Sequence, residues 1–250
     1  MMVIHIYLFV LGLILGSFFN VVGLSVPASH SFANRRSACP SCGRTLTFFE
    51  LIPVISYMLQ DGKCRGCKTR ISPLYPVVEM LTGVLFASAP IFLGWSNELL
   101  IGWTLISLFM IIFVTDVAYM LIPDKILLFF TVIFIVLRVS FPLSPWWDSI
   151  FGAAVGFSLL LLIAVISKGG MGGGDIKLFA VIGFVLGMKM VLLSFLIACF
   201  YGAFFGIIGL LTGILKKKTL IPFGPYIVFG TLTAYFWGDS LLHWYVTFLR

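Results

Sequence analysis

The sequence predicts an all-α polytopic membrane protein of about eight transmembrane helices, with a small cytoplasmic zinc-binding loop domain. Three observations predict it. Of 250 residues, 61% are hydrophobic and only 10% are charged, whereas a soluble domain carries roughly 25% charged residues. The apolar residues gather in runs of about 20, the length that crosses a hydrocarbon core as a helix. Those runs do not alternate apolar with polar residues, as the strands of a membrane barrel must. Together these exclude an ordinary soluble enzyme, a disordered chain and a collagen-like one.

Taken in order, the expected spans cover roughly 3–25, 74–94, 99–121, 125–142, 147–166, 175–188, 190–213 and 224–248. The sixth is short and contains glycine, which suits a tilted helix or one buried behind its neighbours. The first has no Lys or Arg before it, so it lacks the basic start of a secretory signal. It is expected to be an uncleaved helix with its N-terminus outside.

The basic residues set the orientation. Thirteen of sixteen lie in alternate loops: Arg35, Arg36, Arg44, Lys63, Arg65, Lys68 and Arg70 in the first, Lys125 in the third, Lys168 and Lys177 in the fifth, Lys216 to Lys218 in the seventh. Only Arg138, Lys189 and Arg250 fall on the other side. Cytoplasmic loops carry such an excess, so the odd loops are expected inside. A seven-span count would put Lys216 to Lys218 outside. The net charge of +7 then reflects topology, and no nucleic-acid partner is expected.

The first loop, 27–73, is the one polar stretch. It holds Cys39-Pro-Ser-Cys42 and Cys64-Arg-Gly-Cys67. Two C-x2-C knuckles at this separation suit a tetrahedral four-cysteine zinc site, closed and therefore structural. Gly43 and Gly66 are expected to supply the tight turns. The neighbouring Arg44, Lys63, Arg65 and Lys68 are expected to lower the thiol pKa values. Two disulfides are the alternative, disfavoured in a cytoplasmic loop. Cys199 stands alone in an apolar run and reads as packing.

A carboxylate at membrane depth is a functional candidate by default. Of nine Asp and Glu, Glu50 and Asp61 belong to the cysteine loop. Glu98, Asp124, Asp148 and Asp239 read as groups at helix ends. Three remain: Asp116 near the inner end of its helix, Asp175 directly after the glycine run Gly169 to Gly174, and Glu79 just over one turn into the second span. All three share the cytoplasmic depth. Two facing aspartates can perform acid–base hydrolysis, one activating water while its protonated partner polarises the scissile carbonyl. The plainer alternative makes Asp175 the N-cap of its helix and pairs Asp116 with Lys125 or Lys177.

These residues resemble a known family. Gly172-Gly173-Gly174-Asp175 fits the G-x-G-D signature of intramembrane aspartyl proteases. Asp116, followed by six residues and then Pro123-Asp124, is similar to the first aspartate motif of type IV prepilin peptidases. Gly16-Ser17-Phe18-Phe19-Asn20-Val21-Val22, Arg36-Ser37-Ala38-Cys39-Pro40, Leu51 to Tyr57 and Tyr75-Pro76-Val77-Val78-Glu79 continue the likeness in order.

The resemblance implies a bifunctional enzyme. Such an enzyme removes the basic leader of prepilins or pseudopilins at the cytoplasmic face, then methylates the new N-terminus with S-adenosylmethionine. It assigns catalysis to Asp116 and Asp175, with Gly172, Gly174, Asp124 and Lys177 in support. Glu79 and Gly83 match positions linked to methyl transfer, although no Rossmann-type glycine motif is present. Cys39, Cys42, Cys64 and Cys67 would hold structural Zn2+. The implied division is a first helix over 1–26, a zinc loop over 27–73 with the methyltransferase region reaching about 83, and a seven-helix peptidase bundle over 74–250. The implied setting is the bacterial cytoplasmic membrane, with the lipid bilayer as a further partner; no oligomeric state is assigned. Two other readings use the same residues: a proton-coupled transporter, and a membrane-anchored zinc module that binds a partner protein. A transporter is expected to show repeat symmetry or paired broken helices, and the sequence shows neither; the zinc module does not explain two aspartates at one depth in separate helices.

Overall fold

A computed structural model of the chain describes residues 2–28, 37–168, 170–213 and 221–248. Among these the secondary structure is helical, with two isolated β-bridges and no strand. The helices are α1 (Met2–Ser25), α2 (Ile55–Leu59), α3 (Leu74–Leu93), α4 (Asn97–Tyr119), α5 (Asp124–Ser140), α6 (Asp148–Ile166), α7 (Gly173–Leu186), α8 (Met188–Leu211) and α9 (Gly224–Phe248). A 3-10 turn, Phe48–Leu51, precedes α2.

Each of the eight expected segments is a helix. Five of them, α1, α3, α4, α6 and α8, are long and apolar enough to cross a membrane. At 17 and 14 residues, α5 and α7 fall short of the usual span. Arg35, Arg36, Lys216 to Lys218 and Arg250, on which part of the charge count rests, lie outside the described residues, as does Gly169 of the glycine run.

The chain forms two compact units, Met1–Ala118 and Tyr119–Arg250. In the first, α1 packs on α3 through a seam of small residues. A Cβ added at Gly12 would lie 2.7 Å from Gly83 Cα, and one at Gly16 would lie 2.8 Å from Glu79 Cα. Gly12 and Gly16 are four apart, so they share one face. Such a small-x3-small face lets two membrane helices approach backbone to backbone. The far end of α3 is joined to α4 by Trp103, whose indole N–H donates to the Phe86 carbonyl at 3.2 Å while its ring stacks on Phe86.

The second unit repeats the device. Gly152 and Gly156 of α6 face Gly183 and the Phe179 carbonyl of α7, and a Cβ at either would overlap α7 backbone. The short α7 is thereby buried: Leu178, Phe179, Ile182 and Val185 are closed to solvent. Arg138, counted among the charges of the outer side, is buried in the last turn of α5. Its Nε and Nη2 donate to the Val185 carbonyl at 2.9 and 2.6 Å. A cation there satisfies a terminal carbonyl and the negative end of the α7 dipole. Beyond it, Asp148 Oδ1 accepts the Met188 backbone N–H at 3.1 Å, at the start of α8.

Candidate active site

The cysteine loop is built from two copies of one local structure, 25 residues apart. In the first, Cys39 N–H donates to the Arg44 carbonyl, Gly43 N–H to Cys39 and Leu46 N–H to Ser37. In the second, Cys64 N–H donates to Thr69, Lys68 N–H to Cys64 and Ile71 N–H to Gly62. The bridges Ala38 to Thr45 and Lys63 to Arg70 are equivalent as well. The left-handed position is the fourth after the first cysteine. Gly43 holds it at φ +69°, as expected, but its counterpart is Lys68 at φ +60° and not Gly66. Gly66 instead gives room to Arg44, whose Nε would lie 3.3 Å from a Cβ placed there.

The knuckles bring four sulfurs together. The Sγ atoms of Cys39, Cys42, Cys64 and Cys67 lie within 4.8 Å of one another, and Cys39 and Cys67 are 3.8 Å apart. A tetrahedral ion with Zn–S bonds of about 2.3 Å needs sulfurs separated by about 3.8 Å. The donor set fits zinc in both number and spacing, and all four cysteines are free of disulfides. Hydrogen bonding with Thr69 draws the Cys67 thiol down to about 6. Backbone N–H groups of Cys67 and Gly66 draw Cys64 down too. Cys42 receives a backbone hydrogen bond at Arg44, yet desolvation and the neighbouring sulfurs push it up to about 11. These shifts come chiefly from hydrogen bonds, not from the flanking basic side chains as expected.

One basic side chain is built into the cluster. Arg44 Nη2 donates to Glu50 Oε1 at 2.5 Å. Glu50 Oε2 accepts the backbone N–H and the hydroxyl of Thr47, both at 2.9 Å. Arg44 Nε is buried with no hydrogen-bond partner and lies across Gly66 from Cys42. A zinc-bound thiolate is the acceptor such an N–H lacks, because metal binding leaves negative charge on the sulfurs.

From this loop the chain reaches α3. Val54 N–H donates to Glu79 Oε2 at 2.8 Å, with Val54 held at φ +60°, an uncommon conformation for a β-branched residue. Glu79 is buried against Gly16. One turn earlier, Asn20 of α1 donates to the Tyr75 carbonyl at 3.1 Å, while its buried Oδ1 has no partner. Motif reading listed Asn20 but gave it no role; its burial is what marks it. Gly83 is closed by α1, since a Cβ there would lie 3.0 Å from both Leu13 and Phe9. Its duty in the structure is helix packing. The buried Glu79 carboxylate is the group in this region that suits a cation such as a sulfonium or an ammonium.

Asp116 is buried in the last turn of α4, in the first unit. Asp175 belongs to the second. It is the third residue of α7, with Gly172 as N-cap, so it is not itself the cap. A carboxylate at that position also favours the positive end of the helix dipole. The two glycines of its motif have separate reasons. A Cβ on Gly172 would sit 3.1 Å from Asp175 Oδ2, and one on Gly174 would sit 2.8 Å from Ile122 Cβ, whereas one on Gly173 would meet nothing. A side chain at Gly174 is thus excluded by Ile122, one at Gly172 would press on the Asp175 carboxylate, and one at x is tolerated. Lys177 pairs with Asp124: its Nζ lies 2.8 Å from both carboxylate oxygens.

Comparison with known proteins decides the family. The family model for the Bacterial Peptidase A24 N-terminal domain matches residues 10–92, and that for the Type IV leader peptidase family matches residues 103–207. The chain belongs to the type IV leader peptidase family. It is 48% identical over 239 residues to a prepilin leader peptidase/N-methyltransferase of Bacillus subtilis (strain 168), covering 96% of each chain. Proteins of the same name from Aeromonas salmonicida (strain A449) and Pseudomonas aeruginosa are 36% and 31% identical. These cover 85% and 95% of this chain and 75% and 92% of the relatives. No solved structure matches the chain. Membership in this family sets aside the transporter and zinc-module readings.

Proposed function

We propose that this leader peptidase cleaves prepilins or pseudopilins at the cytoplasmic membrane face with Asp116 and Asp175, then methylates the new N-terminus. The likeness to a prepilin leader peptidase/N-methyltransferase over 96% of both chains carries the reading. The close approach of Gly172 to the Asp175 carboxylate and of Gly174 to Ile122 supports it, because both tie the G-x-G-D signature to the placement of Asp175.

In the reaction one carboxylate takes a proton from water, and the water oxygen adds to the scissile carbonyl carbon. The other carboxyl, protonated at the outset, gives its proton to the carbonyl oxygen. The C–N bond then breaks, and the departing nitrogen takes a proton from the pair, which titrates as a unit. The product is the free N-terminus of the mature pilin. S-adenosylmethionine, when bound, supplies an electrophilic methyl group. Glu79 is the buried carboxyl that would take the proton the new ammonium must lose before its nitrogen can accept the methyl group. Cys39, Cys42, Cys64 and Cys67 would hold a structural Zn2+, which would brace the loop that carries Val54 to Glu79.

Eight spans with the odd loops in the cytoplasm put these groups on the inner side of the bacterial cytoplasmic membrane. In this arrangement α5 and α7 are short, tilted spans inside the bundle. The test is to incubate the purified protein in a bilayer with a prepilin and S-adenosylmethionine and to read the product by mass spectrometry. Loss of the leader followed by gain of one methyl group is expected. A prepilin left at full length would overturn the reading.

A further inference from the structure

Six large apolar side chains stand exposed on the segment that links the two cysteine knuckles: Phe48, Phe49, Leu51, Ile55, Met58 and Leu59. Phe48 is 79% and Leu59 75% exposed. Clusters of this kind mark an interaction surface. Between Phe48 and Leu59 the one charged side chain is Glu50. It points inward, 1% exposed and paired with Arg44. The outer face of the segment is therefore apolar and without charge.

Its depth is fixed from within. The Val54 amide is bonded to Glu79, the sixth residue of α3. At 1.5 Å per residue this is about 7.5 Å inside the helix end. The Glu79 side chain leans toward that end, which sets Val54 beside the first turns of α3 and not beyond them. The same level of α1 is Gly16, nine residues before its C-terminus. The lipid-facing side of α3 begins at this depth, with Val77, Met80 and Val84 exposed.

We propose that residues 48–59 form an interfacial wedge, seated in the leaflet at this end of α1 and α3, with lipid acyl chains covering the apolar face. The surface continues the apolar belt of α3, and its lack of exposed charge matches lipid rather than water. Apolar faces of interfacial elements sit at the headgroup–acyl boundary in this way. The two knuckles are then the described part of the cysteine loop that stands in water. The Val54 turn is pinned between lipid and Glu79.

The test uses the full-length protein in vesicles of phosphatidylethanolamine and phosphatidylglycerol, doped with a lipid bearing a carbene-generating group on its acyl chain. Peptides are mapped by mass spectrometry after irradiation. Residues 48–59 should take label within about twofold of residues 77–84, while 61–72 stay at background. Label on 77–84 with none on 48–59 would overturn the proposal. That holds whether hydroxyl radicals from the water phase mark the segment, which would place it in water, or leave it unmarked, which would place it under protein.

Discussion

Lys177 Nζ sits 2.8 Å from both carboxylate oxygens of Asp124 and joins the first turn of α7 to the first turn of α5. Asp175 lies two residues before Lys177. The ion pair is half-exposed or more at both ends, so its worth to stability is about 0–1 kcal/mol. Its service is positional: it holds the helix start that presents Asp175. Lys177→Met and Asp124→Asn should each lower prepilin cleavage by about tenfold while thermal stability changes by less than about 1 kcal/mol. The double variant should be no worse than either single one. Additive losses would show that the two residues act separately.

Arg44 is expected to tune the metal. Its unpartnered Nε faces sulfurs that carry negative charge once zinc binds. Arg44→Gln should weaken zinc binding by about 10–100-fold in chelator competition, the usual cost of losing an outer-shell partner. Cys64→Ser should abolish binding outright. Unchanged competition by Arg44→Gln would remove Arg44 from the metal site.

Glu50 gives the loop an acid limit. The Thr47 backbone N–H, and then Arg44, hold its carboxyl below the ordinary carboxylate range. A lowered folded pKa means stabilisation that is complete above the unfolded value of about 4.3 and lost as pH falls through the folded value. Hydrogen exchange of residues 44–50 should be slower in the wild type than in Glu50→Gln at neutral pH. The two should converge below the carboxylate range. A gap that persists in acid would assign the difference to packing.

Close helix approach should be intolerant of a single methyl. Gly183→Ala places a Cβ into the Gly152 backbone, and overpacking of this kind costs about 1–3 kcal/mol or more. The variant should melt well below the wild type, whereas Gly173→Ala, which meets nothing, should keep its melting temperature. Equal melting temperatures would show that α6 and α7 can separate at no cost.

Much of this was legible in the sequence. Long apolar runs declare helices in a membrane whatever their partners, so all eight segments were found. The paired C-x2-C spacing declared the sulfur cluster. What failed depended on direction in space. Arg138 counts as an outer-side charge in sequence, yet its side chain is buried and donates to the Val185 carbonyl. Gly66 looks like the turn residue of its knuckle, yet the left-handed position lies two residues later, at Lys68. The Gly12-x3-Gly16 and Gly152-x3-Gly156 faces were present in sequence. They went unread because glycine was weighed for turns and not for helix contact.

The central claim is that Asp116 and Asp175 share the chemistry of cleavage. The direct measurement is the prepilin cleavage rate of Asp116→Asn and Asp175→Asn in bilayers, with methylation of an already processed pilin followed in the same preparations. Each substitution should lower cleavage by at least about 10²–10⁴-fold and leave methylation intact. Cleavage at the wild-type rate by either variant would contradict the account.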